Sequence, residues 1–189
     1  TRRGELRIDT DDHIRPDTSA EGLAKLRPAF GKDGTVTAGN ASGIVDGAAA
    51  VIVTSAERAA ADGLDVWAKV RSWASVGVDP TEMGIGPVPA IIKCLERAGV
   101  AIADVDLFEI NEAFSAQYLG CEKELGLDRD KCNVNGGAIS LGHPLGATGT
   151  RLVLTLMHQL RRSGKRFGVA SACIGGGQGI AMLIENPQA

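Results

Sequence analysis

The stretch VDLFEINEAFSAQYLGCEKEL, residues 105–125, changes its period midway and decides the fold. Residues 105–110 read as a short strand, and residues 112–125 read as a helix. The alternation continues on both sides. Residues 67–76 read as a strand, and residues 88–98 as a helix with Ile91, Ile92 and Leu95 on its inner face. Residues 133–135 read as a short strand. After a glycine-rich turn comes a helix over residues 148–163, where Leu152, Val153, Leu156, Met157 and Leu160 recur at i, i+3 and i+4. Arg161, Arg162, Lys165 and Arg166 cluster at and beyond its end, where cations suit the negative end of the helix dipole. Residues 167–173 and 178–185 flank three glycines and read as a hairpin. Strands and helices in this order predict an α/β layer fold, with helices packed on a mixed five-stranded sheet.

The first 66 residues have a different character. Charged residues give way to Gly, Ala, Ser and Thr over residues 31–43, which reads as an arm with a short helix over 20–26 and a turn at 32–34. Residues 48–53 run from small to β-branched and predict a buried strand. Thr54-Ser55-Ala56-Glu57 has capping-box order, and Gly63 is placed to stop the helix that follows.

Composition bounds the function. With 189 residues, 44% of them hydrophobic, the chain can bury a core as one domain or a domain plus an arm. A net charge of −3, without a basic block, argues against nucleic acid as a partner. Cys94, Cys121, Cys132 and Cys173 form no C-x-x-C pair and have no histidine at zinc spacing, so no metal site is expected. Neither a signal peptide nor an apolar run of membrane-spanning length is evident. Free thiols, a reducing compartment and a cytoplasmic protein away from membranes are therefore expected. The chain starts at Thr1 without methionine, which fits a processed or truncated product.

Three motifs carry chemistry, each with a bland alternative. Asn111 follows a strand and opens a helix, so it is either an N-cap or an amide orienting water or a substrate oxygen. His143, in GHP, is either structural or a fixed imidazole useful near neutral pH, with Pro144 suited to a helix start. A phosphate loop is excluded, because Gly142, Gly146 and Gly149 lack GxGxxG spacing and a following Lys-Ser/Thr. Cys173 is either a small buried hydrophobe or a tunable proton shuttle beside three bare glycines, whose N–H groups can face a carbonyl.

In order, NEAF (111–114), GHP (142–144) and CIGGGQG (173–179) form a combination that resembles the C-terminal half of a thiolase. GNASG (39–43), DGAAA (46–50) and MGIGP (83–87) look like further motifs of that family, so the resemblance runs essentially from end to end. It implies a thiolase-type fold and acyl transfer on CoA thioesters, with no tightly bound cofactor. Residues 1–43 would end the CoA-binding loop region, 44–66 would complete the N-terminal domain, and 67–189 would form the C-terminal domain.

The resemblance also implies residue roles. Cys173 would be the acid/base at the substrate α-carbon. His143 would activate a nucleophilic cysteine and stabilise the enolate, with Asn111 holding water in the same oxyanion hole. The N–H of Gly175 would serve a second hole. Arg15 would lie along the CoA nucleotide, Ser42 near its pantetheine, and Met83 and Phe114 in the acyl pocket. The segment 133–137 points toward short acetoacetyl substrates. A homo-oligomer is implied.

Two departures stand out. Val45 replaces the usual asparagine, which reads as a local packing change, and the acyl-accepting cysteine motif is absent. The expected partner is therefore an N-terminal thiolase half, on the same or a separate chain. The rival readings are a non-catalytic CoA-binding scaffold, one chain of a split thiolase, or a fragment.

Overall fold

A mixed sheet of four strands carries the fold, and alternating burial along its strands explains both of its faces. The computed structural model describes residues 4, 5, 7–11 and 13–189; of the expected arm over 1–43, residues 1–3, 6 and 12 lie outside the described residues. In chain order the elements are α1 (Ala20–Ala24), α2 (Ala56–Ala61), β1 (Lys69–Gly77), α3 (Pro87–Ala98), β2 (Leu107–Ile110), α4 (Ser115–Leu125), α5 (Ala138–Leu141), α6 (Thr148–Ser163), β3 (Phe167–Ile174) and β4 (Gln178–Glu185). A 3-10 segment, Pro80–Ile85, precedes α3.

The strand order is β1-β4-β3-β2, with β2 parallel to β3 and the other pairs antiparallel. Successive side chains of a strand point to opposite faces. Val169 and Leu183 therefore join Ile91, Cys94 and Leu95 of α3 in one core. Ala170 and Ile184 join Leu152, Leu156 and Leu160 of α6 in the other. The predicted α6 seam matches its observed span and buried leucines.

Among the described residues four strands form rather than five, because residues 133–135 make a turn. Asn133 takes a positive φ of 45° and uses its side chain in place of a backbone. Its Oδ1 accepts from the Ile110 N–H at 2.9 Å, and its Nδ2 donates to the Ile110 carbonyl at 3.0 Å. The edge of β2 is thus satisfied by one amide and by the Asn133 N–H on the Phe108 carbonyl.

Other boundaries shift for local reasons. The inner face of α3 carries Ala90, Ile91, Cys94 and Leu95, while Ile92, one residue beyond Ile91, falls on the exposed side. Helix α4 starts at Ser115 instead of residue 112, since the Asn111–Phe114 stretch is held by the 40–42 segment instead. At α2 the cap is Ser55, whose Oγ accepts from the Arg58 N–H, one position later than the capping-box order suggested. Gly63 stops that helix with φ 62°.

Residues 48–53 form no strand and are mostly exposed, with Ile52 at 93% and Val53 at 82%. Among the described residues, no strand lies beside them to accept their ladder hydrogen bonds. Of the described residues before 67, Ala59 alone is buried. This segment depends on contacts outside the sheet. In the 189-residue chain, amides of residues 48–53 are expected to exchange with solvent far faster than those of Leu107–Ile110 in hydrogen-exchange mass spectrometry. Equal protection of the two would contradict this.

Candidate active site

The parallel pairing of β2 and β3 brings two of the three chemical motifs to one end of the sheet. Ile110 pairs with Ser171, and the Asn111 N–H continues the ladder by donating to the Ser171 carbonyl at 2.9 Å. Asn111 thus stands just beyond the carboxyl end of β2, while Cys173 lies near the carboxyl end of β3. Carboxyl ends of parallel strands are where α/β sheets tend to hold ligands. Asn111 is not an N-cap, because Phe114 occupies that position for α4.

Asn111 is 1% exposed, and its Nδ2 lies 3.2 Å from Nε2 of His143. An amide N–H donates, so Nε2 accepts and the imidazole proton sits on Nδ1. There it meets Thr148 Oγ1 at 2.6 Å, and that hydroxyl donates onward to the Pro144 carbonyl at 3.0 Å. Burial first, and the positive charge of Arg151 second, hold the His143 pKa below its ordinary value. Asn111 Oδ1 is buried without a protein partner, so one acceptor remains available within the site.

The GHP loop is fixed by the glycine-rich segment 39–47. The His143 N–H donates to the Gly43 carbonyl at 2.8 Å, and Gly142, at φ 92°, lets Val45 pack where a Cβ would otherwise stand. The packing role expected of Val45 is therefore visible. Pro144 does not start α6, which begins at Thr148; it accepts the turn hydrogen bonds of Ala147 and Thr148 instead. Ser42 donates through N–H and Oγ to the Ala113 carbonyl, at 3.0 and 3.3 Å, tying the segment to NEAF. The His13 imidazole packs on Gly43, a contact that nothing in the sequence signalled.

Cys173 is partly exposed, and burial raises its thiol pKa. Beyond it the hairpin turn depends on Gly177, at φ 88°, where a Cβ would meet the Val78 carbonyl oxygen at 2.5 Å. Gly175 is exposed, with open space on its Cα. Met83 lies in the 3-10 segment that packs on β3, β4 and α4, and Phe114 stacks edge-on with Phe30 at 5.9 Å. Arg15 lies on the exposed arm before α1, where its carbonyl accepts from Thr18.

The four cysteines are free thiols, and Cys94, Cys121 and Cys132 are buried. Burial pushes Cys121 and Cys132 up to about 11. Among the described residues no group of His, Cys, Asp and Glu has metal-site geometry, and no helix is long and apolar enough to cross a membrane.

Two carboxylates escaped the sequence reading. Glu112 accepts from Asn133 Nδ2 at 2.9 Å and from the Ile139 N–H at 3.1 Å, so it fastens the turn after α4 to the start of α5. Glu109, buried on β2, pairs with Arg151 at 3.3 Å.

Comparison with known proteins gives these contacts a family. The family model described as "Thiolase, N-terminal domain" matches residues 1–57, and "Thiolase, C-terminal domain" matches residues 64–186. The acetyl-CoA acetyltransferase of Chromobacterium violaceum is 56% identical over 187 residues, covering 98% of this chain and 48% of the relative. The mitochondrial 3-ketoacyl-CoA thiolase of Bos taurus is 54% identical over 186 residues, covering 98% and 47%. The crystal structure of human mitochondrial 3-ketoacyl-CoA thiolase in complex with CoA superposes with a TM-score of 0.90 at 54% identity, covering 95% of this chain and 45% of that one. The chain spans about half the length of the curated relatives it matches.

His143 is expected to titrate below the ordinary imidazole value of about 6.5 and to be the Nδ1–H tautomer when neutral. Because the folded pKa lies below the unfolded one, its contribution to stability is present above about pH 6.5 and is lost as pH falls through the folded value. Nitrogen-15 histidine NMR across the range checks this; an Nε2–H tautomer or a midpoint above 6.5 would contradict it.

Proposed function

This chain belongs to the thiolase family, and we propose that it supplies the proton-transfer portion of an acetyl-CoA acetyltransferase or related 3-ketoacyl-CoA thiolase. The reaction is reversible Claisen condensation and thiolysis between acetyl-CoA and acetoacetyl-CoA or another 3-ketoacyl-CoA. The observation that carries this reading is Asn111 and Cys173 at the same end of parallel strands, with a neutral imidazole on the Asn111 amide.

The chemistry needs two sulfurs. One accepts the acyl group as a thioester, and the other moves a proton at the α-carbon, giving ping-pong turnover. In thiolysis the Cys173 thiol protonates the departing α-carbon; in condensation its thiolate removes that proton. Burial keeps the thiol protonated at neutral pH, the state that thiolysis consumes. The enolate oxygen requires stabilisation, and removing one oxyanion-hole donor in a hydrolase costs about 10²–10³ in rate. Once Nε2 has taken the proton of the nucleophilic thiol, His143 and a water held by Asn111 Oδ1 serve that oxygen, and the Gly175 N–H serves the acyl-transfer intermediate.

Residues 1–43 end the CoA-binding loop region, with Arg15 along the nucleotide and Ser42 by the pantetheine. Residues 44–66 complete an N-terminal domain, and 67–189 form the C-terminal domain. Met83 and Phe114 line the acyl pocket. The acyl-accepting sulfur comes from an N-terminal thiolase half, since Cys94, Cys121 and Cys132 are buried.

Two outcomes test this. The pure 189-residue chain is expected to show no thiolysis of acetoacetyl-CoA; substantial turnover would overturn the division of labour. In the protein completed by its N-terminal half, Cys173→Ala is expected to cut turnover by about 10²–10⁴-fold while acyl loading persists. His143→Ala is expected to impair both. Mass spectrometry of the acylated intermediate beside steady-state rates separates these effects, and normal turnover in Cys173→Ala would make Cys173 a structural thiol.

A further inference from the structure

Two rungs of side chains cross between β2 and α6. Leu107 packs toward α6 while Phe108 and Ile110 pack toward α3, so Glu109 and Asn111 project to the α6 side by strand alternation. On α6, Thr148 and Arg151 stand three residues apart and share a face. The first rung is Asn111–His143–Thr148. The second is Arg151 Nη1 on Glu109 Oε2 at 3.3 Å, with the Glu109 side chain 2% exposed and that of Arg151 18%. Arg151 Nη2 is buried without a hydrogen-bond partner, so the pairing with Glu109 rests on Nη1.

We propose that the Glu109–Arg151 pair is a positioning unit for His143, spacing β2 from α6 and holding the imidazole in its neutral, Nδ1–H form. This deepens the thiolase reading and rests on it for its functional meaning. A buried ion pair with an unfilled donor is a weak stabiliser, because desolvating both charges offsets their attraction. Its position points to a different use: it places a positive group one turn along α6 from the hydroxyl that orients His143.

The charges around the two rungs are consistent with that use. Arg151 is the charged group that disfavours the imidazolium of His143. Glu109 faces Arg151 from α6 and Glu112 from the segment after β2, and Cys132, after α4, feels its charge in turn. Burial raises the Glu109 carboxyl to about 7 against the opposing pull of Arg151. The raised Glu109 carboxyl is therefore a weaker counter-charge to Arg151 than an ordinary carboxylate. A neutral Nδ1–H imidazole is the form that takes a proton from a thiol, at the Nε2 that here accepts from Asn111, so a base role depends on this charge arrangement.

The test is the titration of His143 in the full 189-residue chain, followed by nitrogen-15 histidine NMR and assigned by the resonance lost in His143→Asn. Arg151→Met is expected to raise the midpoint by about half a pH unit, the scale of one partly screened charge. Glu109→Gln, which leaves Arg151 uncompensated, is expected to lower it. Arg151→Lys keeps the charge and is expected to return the midpoint toward the parent value.

The double variant Glu109→Gln/Arg151→Met buries no charge and protects the fold should Arg151→Met fail; its midpoint is expected to rise as in Arg151→Met. A double variant that folds with the parent midpoint and tautomer overturns the proposal, as do single variants that shift the midpoint in the same direction. These readouts involve no CoA chemistry, so they fail separately from the thiolase reading.

Discussion

The parallel register of β2 on β3 is the constraint on which the site depends. Ile110 opposite Ser171, and the Asn111 N–H on the Ser171 carbonyl, fix where β2 ends relative to Cys173. A slip of one residue would turn Asn111 from the α6 side to the α3 side and part it from His143. Both faces of the sheet resist that slip, since Phe108 and Ile110 are committed to one core and Leu107 to the other. Hydrophobic packing thus holds a polar geometry that its own hydrogen bonds are too few to enforce.

Around that register the polar groups are fastened by other polar groups, with little surface charge involved. Asn133 completes the edge of β2, and Glu112 fastens Asn133 and the start of α5. The loop from α5 then delivers His143, whose backbone is pinned to Gly43 and whose ring is pinned to Asn111 and Thr148. Side-chain amides and carboxylates here do the work that a fifth strand would do elsewhere. The result is a hydrogen-bonded site on a scaffold whose described residues before 67 bury little of their own surface.

Much of this was legible in the sequence where a period or a special residue spoke. The α6 leucine seam, the hairpin around Gly175–Gly177 and the α3 face over Ile91 and Leu95 follow from spacing alone. NEAF, GHP and CIGGGQG were legible as a family resemblance, and three of their members occupy one end of the sheet or its neighbouring loop. Residues 48–53 form no strand in this chain, because a β-branched run makes one only where another strand accepts it. Asn133 was misread because a side chain mimicking backbone leaves no periodic trace. Thr148 and Arg151 look like ordinary helix-surface residues, and Glu109 breaks an apolar run without announcing its partner 42 residues away. Such pairings arise from tertiary placement and have no local signal.

α-Proton chemistry is the role proposed above for Cys173, which lies at the same end of the sheet as Asn111 and its partner His143. The most direct measurement is washout of deuterium from the acetyl methyl group of labelled acetyl-CoA, followed by NMR in the protein completed by its N-terminal half. Washout is predicted in the parent, falling by about 10²-fold or more in Cys173→Ala. Undiminished washout in Cys173→Ala, with the variant folded and still acylated, would contradict the central claim.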